Sequence, residues 1–229
     1  MPQHYAHYKE AHPVPFVVTH YVNLIAMLVL IFTGFMIHYP MFEGIMGICR
    51  GAHIFCGIVL VLNLFVRVIL AFVVKSAPAQ GTRVTEKDYK NWLPQADNRH
   101  QLVPMLKYYL GMKDEHPLNA KFNPLQKLAY WFAALLILFM AWTGFTLYEP
   151  TSGFALSQFC VSLLGGIMSV RIFHWFGMFV MIIFMIAHVY LVILDGKDTF
   201  LAMFARKEHG GYVYDPEKHT IVGKDESIH

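Results

Sequence analysis

Apolar residues gather into four runs along the chain, about residues 16–37, 52–74, 128–148 and 174–194. Each is long enough for a helix to cross a bilayer core, which takes about 20 residues. A backbone in lipid must satisfy its own hydrogen bonds, so runs of this length predict helices. The first and second runs are joined by a short connection. A long polar loop, 75–127, follows the second run, and a polar tail, 195–229, follows the fourth. Two amphipathic stretches interrupt this plan. FALSQFCVSLL, ahead of the fourth run, predicts a short helix at the interface, and LVPMLKYYLGM in the long loop predicts another surface helix. The expected fold class is an all-α membrane protein: a four-transmembrane-helix bundle forming one domain over residues 1–229.

Composition agrees with this. The chain is 56% hydrophobic and 14% charged, with a mean hydropathy of +0.45, which excludes an ordinary soluble domain. The net charge of +3 says less than its distribution. Lys75, Arg83, Lys87, Lys90, Arg99, Lys107, Lys113, Lys121 and Lys127 lie in the long loop. Lys197, Arg206, Lys207, Lys218 and Lys224 lie in the tail. The other two connections hold Arg50 and Arg171 alone. The positive-inside rule places the long loop and both termini in the cytoplasm. The basic excess therefore reports topology, and no nucleic-acid partner is expected. The opening MPQHYAHYKEAHP lacks a basic region followed by a cleavage site, so no signal peptide is expected. Three cysteines, Cys49, Cys56 and Cys160, form neither a CxxCH nor a CxxC motif. A Cys49–Cys160 disulfide stays open.

Four histidines, His20, His53, His174 and His188, fall inside the apolar runs, while His38 sits at an edge. Ionisable groups in a bilayer are costly and usually functional. His174 and His188 are fourteen residues apart, which is about 1400° of helix, only 40° short of four full turns. They share a face and stand about 21 Å apart along the axis. By topology His53 lies at the depth of His174, near the outer side, and His20 at the depth of His188, near the inner side. Two imidazoles on facing helices are the axial ligand set of a b haem. Zinc or copper would gather its ligands at one depth, usually with a carboxylate or thiolate. A proton relay would place Asp or Glu inside the spans, which hold none. Gly34, Gly57, Gly144 and Gly177 could admit a macrocycle, although glycine is common in membrane helices. Arg50 and Arg171 each precede a histidine by three residues. They suit haem propionates or a simple interfacial role. IFTGFMIHYP and AWTGFTLYEP echo each other, as do Arg50-x-x-His53 and Arg171-x-x-His174, and Arg67 stands where His188 does. The echo reads either as two diverged hairpins or as chance.

Taken in order, these residues resemble the cytochrome b subunits of membrane-bound formate dehydrogenases (the gamma subunits) and nickel–iron hydrogenases. The match extends over residues 12–205 and includes KFNPLQKLAYW, TGF and HVYL. The resemblance implies two b haems, the outer held by His53 and His174, the inner by His20 and His188. It implies a multi-pass protein of a bacterial or archaeal inner membrane, with an iron–sulfur electron-transfer subunit and a catalytic subunit as partners. It also implies exchange with menaquinone or ubiquinone near Asn123 and, more weakly, Gln126. Asn123 before Pro124 also reads as a helix cap. Hydrogenase members carry His-Asn-Pro where this chain has Phe122-Asn123-Pro124, which favours the formate dehydrogenase branch. Hydrogenase or sulfur-compound reductase partners are the alternative, followed by a stand-alone redox cytochrome or a non-haem membrane anchor.

Overall fold

Four long helices carry the apolar runs: α1 (Val14–His38), α2 (Met46–Val73), α4 (Pro124–Leu147) and α7 (Ile167–Leu194). All four are long and apolar enough to cross a membrane. The structure is a computed structural model and describes residues 12–78, 85–94, 99–113, 117, 121–194, 200, 203–204, 212–215 and 220–224. Lipid-facing stripes are plain on the helices. On α2, Ile48, Phe55, Leu62 and Ile69 recur every seven residues, and each is more than half exposed. Such a stripe suits hydrocarbon.

Several helices begin earlier than their apolar runs. α2 starts at Met46 rather than 52, α4 at Pro124 rather than 128, and α7 at Ile167 rather than 174. A hydropathy reading trims a first turn containing Arg50, Lys127 or Arg171, whereas the backbone ladder continues through it. His53 and His174 consequently do not open their helices. Each lies seven residues in, about 10 Å along the axis. The expected interfacial helix is α6 (Ala155–Leu164), after the single turn α5 (Glu149–Ser152). Gly165, at φ 83°, ends α6 in the left-handed region that glycine enters without strain. The expected surface helix of the long loop is α3 (Leu102–Tyr109). Cys49 and Cys160 are both buried free thiols.

The chain divides into two compact units. One comprises residues 19–66 and 132–187. Its core is Ala26 of α1, Leu60 of α2, Leu136 and Ile137 of α4, and Met181 of α7. A polar clamp joins α1 to α2 in this unit: Asn63 Nδ2 donates to Thr19 O at 2.7 Å and Asn23 Oδ1 at 2.6 Å.

The other unit comprises residues 1–18, 67–131 and 188–229. Two short antiparallel pairs belong to it, neither expected from sequence: β1 (Lys75–Ser76) with β2 (Glu86–Lys87), and β3 (Tyr212–Asp215) with β4 (Thr220–Lys224). Its organising group is Asp88, whose side chain is fully buried. Asp88 accepts from Arg67 Nη2 at 2.8 Å, Ser76 Oγ at 2.9 Å, Trp92 Nε1 at 3.2 Å and Lys121 Nζ. Arg67 also lies over the Phe16 ring, 4.0 Å from its centroid. Burial pushes the Asp88 carboxyl up, but Lys121 and Arg67 outweigh it and hold the group below the usual carboxylate range. At the start of α4, Asn123 Oδ1 accepts from Gln126 N at 2.7 Å, and Gln126 Oε1 accepts from Asn123 N at 3.0 Å. This is a reciprocal capping box, with Pro124 at the first helical position.

Asp88→Asn leaves two buried cations facing a neutral amide. It is expected to destabilise the protein by about 3–5 kcal/mol, read as a lower melting temperature in detergent. The depressed carboxyl contributes stability that is complete above its unfolded value of about 4. That contribution is lost as pH falls through the lower folded value, so the wild type has an acid-sensitive phase that the variant lacks. An unchanged melting curve in Asp88→Asn would show that the cluster contributes nothing.

Candidate functional site

The two hairpins α1–α2 and α4–α7 carry the same pair of short motifs. Thr33-Gly34-Phe35 and Thr143-Gly144-Phe145 lie on α1 and α4. Arg50-x-x-His53 and Arg171-x-x-His174 lie on α2 and α7. In each hairpin the threonine meets the histidine. Thr33 Oγ1 is 2.9 Å from His53 Nδ1, and Thr143 Oγ1 is 2.9 Å from His174 Nδ1. Thr33 and Thr143 are both buried.

The direction of these bonds follows from counting protons. A hydroxyl has one. Thr33 donates it backwards along α1, to Val29 O at 2.7 Å with Leu30 O at 3.3 Å. Thr143 donates to Phe139 O at 2.9 Å with Met140 O at 3.1 Å. Each oxygen is left to accept from the ring, and the Leu30 and Met140 carbonyls that also bond the rings can only accept, an arrangement that fits the tautomer with the hydrogen on Nδ1. Nε2 is then the nitrogen with a lone pair to give.

The two rings are brought together. Their centroids are 6.2 Å apart and their planes 69° apart. Two axial imidazoles at metal–nitrogen bonds of about 2 Å place ring centroids roughly 6 Å apart, so the spacing fits one iron between them. The glycines next to the threonines make the close approach. A Cβ on Gly144 would come within 3.1 Å of His174 Cε1, and one on Gly34 within 3.5 Å of His53 Cε1 and 3.3 Å of Met178 Sδ. The other two helical glycines named from sequence differ. Gly177 packs against Met140, and Gly57 faces open space. Among the described residues no group of three or more His, Cys, Asp or Glu could hold a metal. Two imidazoles suit a metal whose other ligands come from a macrocycle, which a bare zinc or copper ion lacks.

The remaining candidates are placed less tightly. Arg50 and Arg171 are exposed, one turn nearer the helix start than their histidines. His20 is half-buried on α1 and His188 exposed on α7; they belong to different units. His38 stacks on Trp175, with centroids 3.7 Å and planes 9° apart. Asn123 and Gln126 form the capping box, and Asn123 Nδ2 also donates to Tyr109 Oη at 3.0 Å.

Residues 11–206 match the family described as prokaryotic cytochrome b561. The chain belongs to this family. It is accordingly a b-type cytochrome, multi-pass in the bacterial inner membrane, and the chemistry of its paired imidazoles fits the haem b that the family implies. Three curated proteins similar to this cytochrome are each named a probable Ni/Fe-hydrogenase B-type cytochrome subunit. The one from Rhizobium leguminosarum bv. viciae is 27% identical over 79% of this chain and 79% of its own length. The one from Rhodobacter capsulatus is 28% identical over 79% and 72%. The one from Escherichia coli K12, named for hydrogenase 1, is 25% identical over 83% of both. These relatives favour the hydrogenase branch of the resemblance over the formate dehydrogenase branch drawn from Phe122-Asn123-Pro124. That tripeptide is the start of α4, where a cap and a packing residue suffice to explain Asn123 and Phe122.

Thr33 and Thr143 were missed as site residues by sequence reasoning. Their signal was present in the repeated TGF, whose spacing to the histidines gains meaning only once the hairpins are closed. Gly144→Ala, with its 3.1 Å approach to the His174 ring, is expected to lower the haem recovered per chain. Gly34→Ala, with looser contacts, is expected to lower it less. Pyridine haemochrome assay of the two purified variants decides, and equal, full haem content in both would rule out the close-packing role.

Proposed function

We propose that this cytochrome is the membrane electron-transfer subunit of a hydrogenase-type complex. Electrons enter from an iron–sulfur partner attached to a catalytic subunit, pass through two b haems, and reduce menaquinone or ubiquinone. The observation that carries the reading is the His53–His174 pair, 6.2 Å between centroids, with each Nδ1 engaged by a threonine. The partner class is supported by the names of the relatives.

Bound haem supplies an iron that alternates between ferrous and ferric, moving one electron at a time. The chain's own residues do the rest. His53 and His174 would hold one haem. His20 and His188 are the proposed holders of the second, and helix phase supports the choice of His188. His188 follows His174 by four near-complete turns, about 21 Å along the axis, within one uninterrupted helix. Arg50 and Arg171 offer guanidinium groups to propionates at the end of the helices where the partner docks. The four spans contain no Asp or Glu, so proton uptake for quinone reduction belongs at the side of the basic loop, which the positive-inside rule puts in the cytoplasm. Asn123 and Gln126 stand at the loop end of α4 and are the proposed quinone contacts, a role they would share with capping.

Reduced-minus-oxidised spectra and haemochrome assay of the purified protein are expected to give b-type bands and two haems per chain. His53→Ala and His174→Ala should each remove the same haem, and His20→Ala and His188→Ala the other. One haem in the wild type would remove the second pair. For quinone, Asn123→Asp is the informative variant, because aspartate caps a helix as well as asparagine does. It is expected to raise the KM for quinone, with any fall in melting temperature from the lost Nδ2 donation to Tyr109 Oη measured alongside. An unchanged KM would leave Asn123 with its cap and its Tyr109 hydrogen bond.

A further inference from the structure

We propose that Thr33 and Thr143 are positioning residues that set the tautomer and the electron-donating strength of His53 and His174. Through them they lower the reduction potential of the haem that those histidines hold. The inference rests on the haem reading above and deepens it.

The geometry is the same on both sides. Each threonine hydroxyl spends its proton on a carbonyl one turn back and receives the Nδ1–H of the histidine across the hairpin at 2.9 Å. An imidazole whose Nδ1–H is given to an acceptor is a more basic ligand at Nε2. Such outer partners also fix the ring's orientation. A more basic ligand favours the ferric over the ferrous iron, which lowers the potential. The acceptor here is neutral and carries its own hydrogen bond. A chain of hydrogen bonds polarises along its length, so the carbonyl strengthens the hydroxyl as an acceptor.

A plain structural use of threonine exists in the same helix. Thr146 is equally buried, and its hydroxyl donates to Trp142 O at 2.9 Å. Its hydroxyl lies on no histidine among the hydrogen bonds described. It marks what back-bonding alone contributes and serves as an internal control.

The test is a set of single substitutions in the purified, haem-loaded chain, read by redox potentiometry and by haem retention. Thr33→Val and Thr143→Val keep the branched shape and remove the hydroxyl acceptor, leaving the rings the Leu30 and Met140 carbonyls that also bond them. Each is expected to raise the midpoint potential of one haem and leave the other unmoved, with a larger rise in the double variant. Haem affinity at that site should fall about tenfold to a hundredfold. Thr33→Ser and Thr143→Ser, which restore the acceptor, should return both properties towards wild type. Thr146→Val should change neither. Unmoved potentials in the single and double valine variants would overturn the proposal, as would an equal shift in Thr146→Val. Should a valine variant lose its haem outright, rescue by serine with retention in Thr146→Val supports positioning, and failure of serine to rescue overturns it. A wild type with no b-type bands would instead sink the haem reading, an outcome visible before any variant is made.

Discussion

A polar nitrogen inside a membrane must find its partner in the protein, because lipid offers none. An imidazole has two such nitrogens, and the fold of the His53–His174 region follows from satisfying them. One nitrogen goes to a threonine of the neighbouring helix. The other keeps a lone pair, free for the metal ligation proposed above. The threonine's own proton is committed to a carbonyl of its helix, which leaves its oxygen to accept, and a Cβ on Gly144 would crowd the His174 ring at 3.1 Å. Three ordinary features of membrane helices, back-bonding, small residues and a half-buried histidine, thus meet in one arrangement. It recurs in both hairpins.

The repetition also shows where the hairpins differ. With the histidines as the offset, Arg67 occupies the place of His188. With the TGF motifs as the offset, Tyr130 occupies the place of His20. These two counterparts touch each other: Tyr130 interacts with Arg67 and stacks on Trp92. Arg67 is bound in turn to the buried Asp88. One hairpin position therefore serves an ion-pair network that ties the long loop together, while its partner position keeps an imidazole. A buried carboxylate with two cations is costly to desolvate and more costly to leave half-paired. It makes sense where one interaction must hold distant segments, here α2, β1, the turn after β2 and the approach to α4.

How much of this was legible in the sequence depended on the range of each signal. The four spans came from hydropathy, a local property, and their membrane-facing stripes bear it out. The helix starts did not, because a turn with one arginine reads as polar while its backbone remains helical. That His53 and His174 lie at one depth was legible from topology, and their rings are near each other; Asn123 before Pro124 showed its capping potential. The Asp88 network was invisible. Arg67, Ser76, Asp88, Trp92 and Lys121 are spread over the sequence, and none is unusual alone. Thr33 and Thr143 lay between these cases. The repeat was visible, but a hydroxyl facing lipid and one facing an imidazole look the same in a string of letters.

The helix extensions bear directly on the chemistry. Had His53 and His174 opened their helices, water at the terminus would compete for Nδ1, and the tautomer would be set by solvent. Seven residues further in, about 10 Å along the axis, the threonine is the acceptor at hand. In a medium of low dielectric a hydrogen bond counts for more than it does in water. The arginines stay one turn nearer the end, exposed, where a guanidinium keeps its hydration. The spacing of three between Arg50 and His53, and between Arg171 and His174, therefore divides each helix into an exposed charged turn and a half-buried histidine-bearing turn. A one-residue insertion between them would keep both residue types yet rotate the imidazole by about 100°, away from its threonine. The function then resides in the register of each motif along its helix, and composition alone would not restore it.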